Sequence, residues 1–342
     1  IGIVAIVAIL WLVSVQLENQ TKTSGGDKLV IYNWGDYIDP ELLEQFTKET
    51  GVQIQYDTFD SNESMYTKIK QGGTTYDIAI PSEYMIAKMI KENLVEKLDH
   101  SQIKGMENIG SDFLDQPFDP GNQYSVPYFW GTLGIVYNSK LVDKAPEHWD
   151  DLWRPEYKNS IMLIDGAREV MGLGLNSLGY GLNDKNADHL QEAVDKLYKL
   201  TPNIKAIVAD EMKGYMIQNN AAIGVTFSGE ARQMLEKNED LRYVVPSEAS
   251  NLWFDNIVIP KTVKNKKAAY QFINFMLRPE NAYKNALYVG YATPIPKAKA
   301  LLPKEVQDDE AFYPTAETMK HLEVYKQIGP KWLGIYNDLY LQ

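Results

Sequence analysis

K-L-V-I-Y-N-W-G-D-Y-I-D-P-E-L-L-E-Q-F-T-K-E-T-G-V-Q-I-Q-Y-D, residues 28 to 57, reads as strand, helix, strand. The run Leu29 to Trp34 is apolar and β-prone. Asp39 is suited to cap a helix, Pro40 to open it and Gly51 to stop it. Val52 to Asp57 then alternates with the period of a half-buried strand. The same rhythm continues outward. Asn62 to Gln71 is spaced as a helix, Y-D-I-A-I-P (76 to 81) as a buried strand entering a turn, and Glu83 to Glu92 as a helix again. Strands and helices alternating at this interval predict an α/β fold with a parallel sheet covered by helices. Ligands of such sheets bind beyond the carboxyl ends of the strands. Trp34 to Tyr37 and Pro81 to Tyr84 occupy two of those ends.

A second series follows P-Y-F-W-G-T-L-G-I-V-Y-N (127 to 138), an apolar segment interrupted by Gly131 and Gly134 that suits a strand crossing between lobes. Helices are predicted at 168–178, 188–200, 212–219 and 230–236, and strands at 160–164, 222–226 and 242–245. L-W-F-D-N-I-V-I-P (252 to 260) is a candidate second crossing. K-N-K-K-A-A-Y-Q-F-I-N-F-M-L is an amphipathic helix ended before Pro279. There is no internal repeat.

Charge and composition exclude more than they select. Of 342 residues, 46 are Asp or Glu and 34 Lys or Arg, a net charge of −12. Nucleic acids and anionic membranes both require a positive surface, so neither is an expected partner of the globular part. These residues include no cysteine, which removes disulfides, thiolate metal sites, a cysteine nucleophile and a lipid-modified cysteine. The four histidines are scattered without metal-ligand spacing, and neither a nucleophile elbow nor a phosphate-binding loop is present. The glycines of G-L-G-L-N-S-L-G (172 to 179) lie inside a helical pattern and are read as serving close packing. The pattern is that of a binding protein with no cofactor or metal, not of an enzyme.

Residues 1 to 13 are uninterrupted apolar, and the run is only diluted up to Leu17. A polar linker, E-N-Q-T-K-T-S-G-G-D-K, follows. The reading is a signal or anchor segment over 1–17 and a linker over 18–27, with the remainder exported.

Aromatic residues beside carboxylates at strand ends are the chemical signal. The chain has 22 Tyr and 7 Trp. Trp34-Gly35-Asp36-Tyr37, Ser82-Glu83-Tyr84, Phe227-Ser228-Gly229-Glu230 and Trp253-Phe254-Asp255 all follow this pattern. Rings present negative faces to the CH₂ and NH₃⁺ groups of an organic ammonium, and carboxylates neutralise it through charged hydrogen bonds. A sugar site uses the same residue types, so composition leaves polyol and polyamine open.

Nine motifs, in order along nearly the whole chain beyond the apolar segment, carry a resemblance: V-I-Y-N-W-G-D-Y-I-D-P, F-D-S-N-E-S-M-Y-T-K-I-K, Y-D-I-A-I-P-S-E-Y, P-Y-F-W-G-T-L-G-I, W-D-D-L-W-R-P-E-Y-K, D-G-A-R-E-V, W-F-D-N-I-V-I-P, F-I-N-F-M-L-R-P-E and V-G-Y-A-T-P. Together they resemble the substrate-binding protein of bacterial spermidine/putrescine ABC transporters. The resemblance implies a two-lobe periplasmic-binding-protein-like fold with hinge strands and an inter-lobe cleft. Its lobes would comprise residues 28–132 with 257–300, and 133–256 with 301–342. It also implies a polyamine ligand, permease subunits as partners and an extracytoplasmic location.

Carried over residue by residue, the family's ligand positions fall on Trp34, Tyr37, Ser82, Tyr84, Glu169, Trp253, Asp255 and Tyr291. Gly35 stands where the pattern has a threonine and Phe227 where it has a tryptophan. Gly166 replaces an aspartate, with Asp165 beside it as a substitute. Asp36, Glu83 and Tyr325 are further candidates, and a glutamine of the pattern has no clear counterpart near Tyr325. Arg168 is the only cation among these positions. A binding protein for another solute, such as a sugar, and an exported amine-modifying enzyme are the alternatives at this stage.

Overall fold

The computed structural model describes residues 27–209 and 211–342; the apolar run at 1–17 lies outside them. The opening unit forms as its residues dictate. Strand β1 (Lys28–Trp34) leads to α1 (Pro40–Thr50), where the Asp39 side chain accepts from the Glu41 N–H, and Gly51 ends the helix in the left-handed region at φ 75°. Strand β2 (Gln53–Phe59), helix α2 (Asn62–Gln71), β3 (Ile78–Ala79) and α3 (Glu83–Lys91) complete a parallel β2-β1-β3 sheet.

The long strand β4 (Ser125–Asn138) leaves this half for a second one. That half contains β5 (Ile161–Ile164), α4 (Ala167–Ser177), α5 (Ala187–Leu200), β6 (Ile204–Val208), α6 (Glu211–Ile217), β7 (Ile223–Phe227), α7 (Ser228–Lys237) and β8 (Leu241–Val244). Strand β9 (Ser250–Val258) returns antiparallel to β4, and α8 (Lys266–Met276) and α9 (Pro279–Val289) pack on the first half. A short β10 (Leu322–Glu323) pairs with β9, and a last helix spans Pro330–Tyr340. The strand order is β2-β1-β3-β9-β4-β7-β5-β6, with β8 also on β4.

Strands β4 and β9 therefore join the two halves. The start of β4 pairs only with β9, whereas Leu133 to Tyr137 pair with β7. At its far end, Val258 of β9 meets Ala79 of β3. Both strands are buried almost throughout, as expected where a sheet is covered on both faces. Gly131 and Gly134 do not interrupt β4. Gly131 gives room, since a Cβ there would lie 2.4 Å from both Ser228 Oγ and Trp253 Cζ2. Asp77 fastens the first half: its carboxylate accepts from the N–H groups of Val30, Lys264 and Asn265 at 2.8–2.9 Å.

Candidate functional site

Asp255 lies in the middle of β9 and is 7% exposed. An antiparallel bridge to Ser82 draws the start of α3 against it. Its carboxylate accepts two hydroxyl hydrogen bonds, from Tyr37 to Oδ2 at 2.6 Å and from Ser82 Oγ to Oδ1 at 2.7 Å. Each donor is held in turn. Tyr128 donates its hydroxyl to the Tyr37 carbonyl (2.7 Å), and Asn285 Nδ2 donates to Tyr128 (2.8 Å), so the turn after β1 is fixed to β4 and α9. Asn62 Nδ2 donates to both Ser82 Oγ and the Tyr84 hydroxyl at 3.0 Å, while its Oδ1 accepts from the Ser82 N–H. Burial pushes Asp255 up to about 6, and the two hydroxyls only partly oppose it.

Glu83, the first residue of α3, is 1% exposed. One carboxylate oxygen accepts from the Phe254 N–H at 3.0 Å, and the other has no partner among the described residues. Burial pushes it up to about 8, with the charge of Asp255 adding to the rise. Among the described residues, neither of these carboxylates nor Glu169 is paired with a lysine, arginine or histidine. Desolvated acids without a counter-ion leave a place for an incoming cation.

Rings surround this spot. Tyr37 packs edge-to-face with Tyr128, Phe129 and Tyr291 at 5.2–5.5 Å. Trp253 meets Tyr291 at 5.3 Å and Phe227 at 6.2 Å, and its indole N–H donates to the Thr132 carbonyl. The Tyr291 hydroxyl donates to Glu230. Half-buried Trp34, at the end of β1, donates its indole N–H to the Ile80 carbonyl at 3.0 Å and rests on Phe59.

The second half contributes another cluster. Glu169 is half-buried in the first turn of α4, and desolvation raises its pKa while Arg168 opposes the rise. The Arg168 guanidinium lies over the Tyr325 and Tyr336 rings at 4.5 and 5.3 Å and donates to the Leu182 carbonyl and Asn183 Oδ1. The Tyr325 hydroxyl is buried beside Glu169, where it opposes the rise of that carboxyl and is itself raised by burial and by the Glu169 charge. A glutamine does stand near Tyr325: Gln327 Nε2 donates to the Tyr84 carbonyl at 3.4 Å, joining the two halves.

Other candidates are placed differently. Gly35 and Asp36 are exposed, with Asp36 in the left-handed region. Asp165 is exposed and accepts from the Tyr340 hydroxyl of the last helix at 2.5 Å. No group of three or more acidic or histidine side chains that could hold a metal ion occurs among the described residues.

The family model for bacterial extracellular solute-binding proteins matches residues 41–315. The chain belongs to this family. The solute-binding protein is 40% identical over 319 residues to the spermidine/putrescine-binding periplasmic protein of Salmonella typhimurium, covering 93% of this chain and 91% of that one. It is 40% identical over 314 residues to the protein of that name in Escherichia coli, covering 91% and 90%. Among solved structures, it resembles the spermidine/putrescine ABC transporter substrate-binding protein PotD of Streptococcus pneumoniae. That likeness has a TM-score of 0.87 and 76% identity, covering 92% of this chain and 98% of that one. These likenesses give the solute-binding protein a periplasmic-binding-protein-like α/β fold.

Sequence reading gave no role to Asn62, although it fastens Ser82 and Tyr84, nor to Gln327. Asn62 lay inside a quoted motif, but its bonds span 20 and 22 residues and leave no local signal.

Proposed function

We propose that this solute-binding protein captures polyamines of the spermidine/putrescine class outside the cytoplasm, passes them to the permease of an ABC importer, and does not transform them. The observation that carries this reading is Asp255: a buried carboxylate, oriented by two hydroxyls, ringed by Tyr37, Trp253 and Tyr291, and paired with no cation among the described residues. An ammonium supplies the missing charge, and the rings take the methylene chain. The names of the Salmonella and Escherichia coli relatives support the same ligand class.

Trp34, Tyr37, Ser82, Tyr84, Phe227, Trp253, Asp255 and Tyr291 form the proposed contact set, with Glu169 answering a second nitrogen. Residues 28–132 with 257–300, and 133–256 with 301–342, act as the two lobes, β4 and β9 as the hinge, and the ligand as the latch. A thermal-shift screen of spermidine, spermine, putrescine, cadaverine and sugars tests the reading. Stabilisation by the amines alone is expected; stabilisation by a sugar alone contradicts it.

Tyr37→Phe removes one hydroxyl bond to Asp255 and keeps the ring. It should weaken polyamine binding by about 1 kcal/mol, roughly fivefold, by calorimetry. An unchanged affinity would mean that Ser82 alone suffices to orient Asp255.

Residues 1–17 act as the membrane anchor in this reading. No helix among the described residues is long and apolar enough to cross a membrane. Removing residues 1–24 should release the protein from membranes with its polyamine affinity intact. Retention on membranes after truncation would place the anchor elsewhere.

A further inference from the structure

Strand β10 ends at Glu323, two residues before Tyr325. Beyond it, one side chain takes up the pairing. Asn183, in the loop between α4 and α5, donates from Nδ2 to the Val324 carbonyl at 2.9 Å and accepts at Oδ1 from the Lys326 N–H at 2.7 Å. These are the two backbone groups, one on each side of Tyr325, that a residue of a parallel neighbouring strand would bond. Asn183 Oδ1 also accepts from Arg168 Nη2 at 2.9 Å, which fixes the way round the amide stands.

This clip sets where Tyr325 goes. Its backbone is held on both sides, its ring lies under the Arg168 guanidinium at 4.5 Å, and the residue is buried. The hydroxyl ends 3.7 Å from the point that a Cβ on Gly172 would occupy. Gly172 stands three residues after Glu169 in α4, the spacing that puts two positions on one helix face. The Tyr325 hydroxyl therefore arrives on the face of α4 that carries Glu169, and each group feels the other.

Resting on the polyamine reading, we infer that Asn183 is a positioning residue of the binding site: by bracketing Tyr325 it brings that hydroxyl beside Glu169, the carboxylate that answers the second nitrogen. A hydroxyl next to a carboxylate favours its ionised form, which is the form an ammonium pairs with. Asn183 thus acts on the ligand through Tyr325, and its influence stays within the second half of the site.

The test is calorimetry of spermidine on the full chain, on N183A, Y325F and Y37F, and on the double variants N183A/Y325F and N183A/Y37F. N183A should weaken binding about fivefold, the effect of about one lost hydrogen bond. In the Y325F background, where the hydroxyl is gone, the same substitution should cost less than about twofold; in Y37F, altered in the other half, it should still cost about fivefold. Hydrogen exchange gives a second readout. The Lys326 amide should exchange about tenfold faster or more in ligand-free N183A, with the amides of β4 at the parent rate. An unchanged affinity in N183A, the same further loss in both double variants, or faster exchange in β4 as well would each overturn the inference, as would failure of N183A to fold. A parent protein that binds no polyamine would instead sink the polyamine reading.

Discussion

Asp255→Asn should weaken polyamine binding by about a hundredfold or more, near 3 kcal/mol. The amide keeps the shape of the carboxylate and can still accept from Tyr37 or Ser82, which hold the native side chain at 2.6 and 2.7 Å. What it loses is the negative charge facing a desolvated ammonium. The cost therefore exceeds that of Tyr37→Phe, which changes how the charge is held but not the charge. The ligand-free variant should melt no lower than the parent, because a buried charge without a cation partner has been removed. A calorimetric loss below tenfold would mean that a different carboxylate neutralises the ligand, with Glu83 the first to examine.

Acid should act in the same direction. In the free protein Asp255 titrates near 6, raised by burial, and the ammonium binds its ionised form. Below that value, binding must first expel a proton; one unit below it, only about a tenth of the carboxylates are ionised. Affinity should therefore fall about tenfold between about pH 7 and pH 5, while the amine stays fully charged. Folding carries the opposite sign. An acid whose folded pKa is raised destabilises the fold above that pKa, so for Asp255 the ligand-free protein gains stability as pH falls through 6. Glu83, pushed up to about 8, acts likewise from a higher pH. The melting-temperature gain from a fixed spermidine concentration should shrink on acidification even as this contribution to the bare protein rises. An affinity flat across that range would show that Asp255 is solvated in the free state.

The parts of the fold that were legible in the sequence are those with local causes. Asp39, Pro40 and Gly51 bound α1 where capping chemistry puts them, and the apolar runs of β4 and β9 emerge as the two buried crossing strands. Strand β6, I-K-A-I-V, escaped because none of its residues is fully buried and its alternation is brief. The helix Pro330–Tyr340 escaped because, of its eleven residues, only Tyr336 is buried, which gives no clear stripe.

The site divides in the same way. Trp253 and Asp255 could be marked from ring and acid side by side, but the burial of Glu83 depends on β9 arriving 171 residues later. The grip of Asn62 on Ser82 and Tyr84, and the reach of Gln327 to Tyr84, arise only when distant segments meet. Asp36 and Asp165 had the right residue type in the right neighbourhood, yet they lie exposed, Asp165 on a tyrosine of the last helix. Adjacency in sequence did not distinguish a desolvated carboxylate from a solvated one.

The most direct test of a polyamine-binding cleft is titration of spermidine into the purified protein by calorimetry, with the amine recovered afterwards. Saturable one-to-one binding near micromolar, about −8 kcal/mol, with the amine returned unaltered, is the predicted result. No binding of spermidine, spermine, putrescine or cadaverine, or recovery of a chemically changed amine, would contradict it.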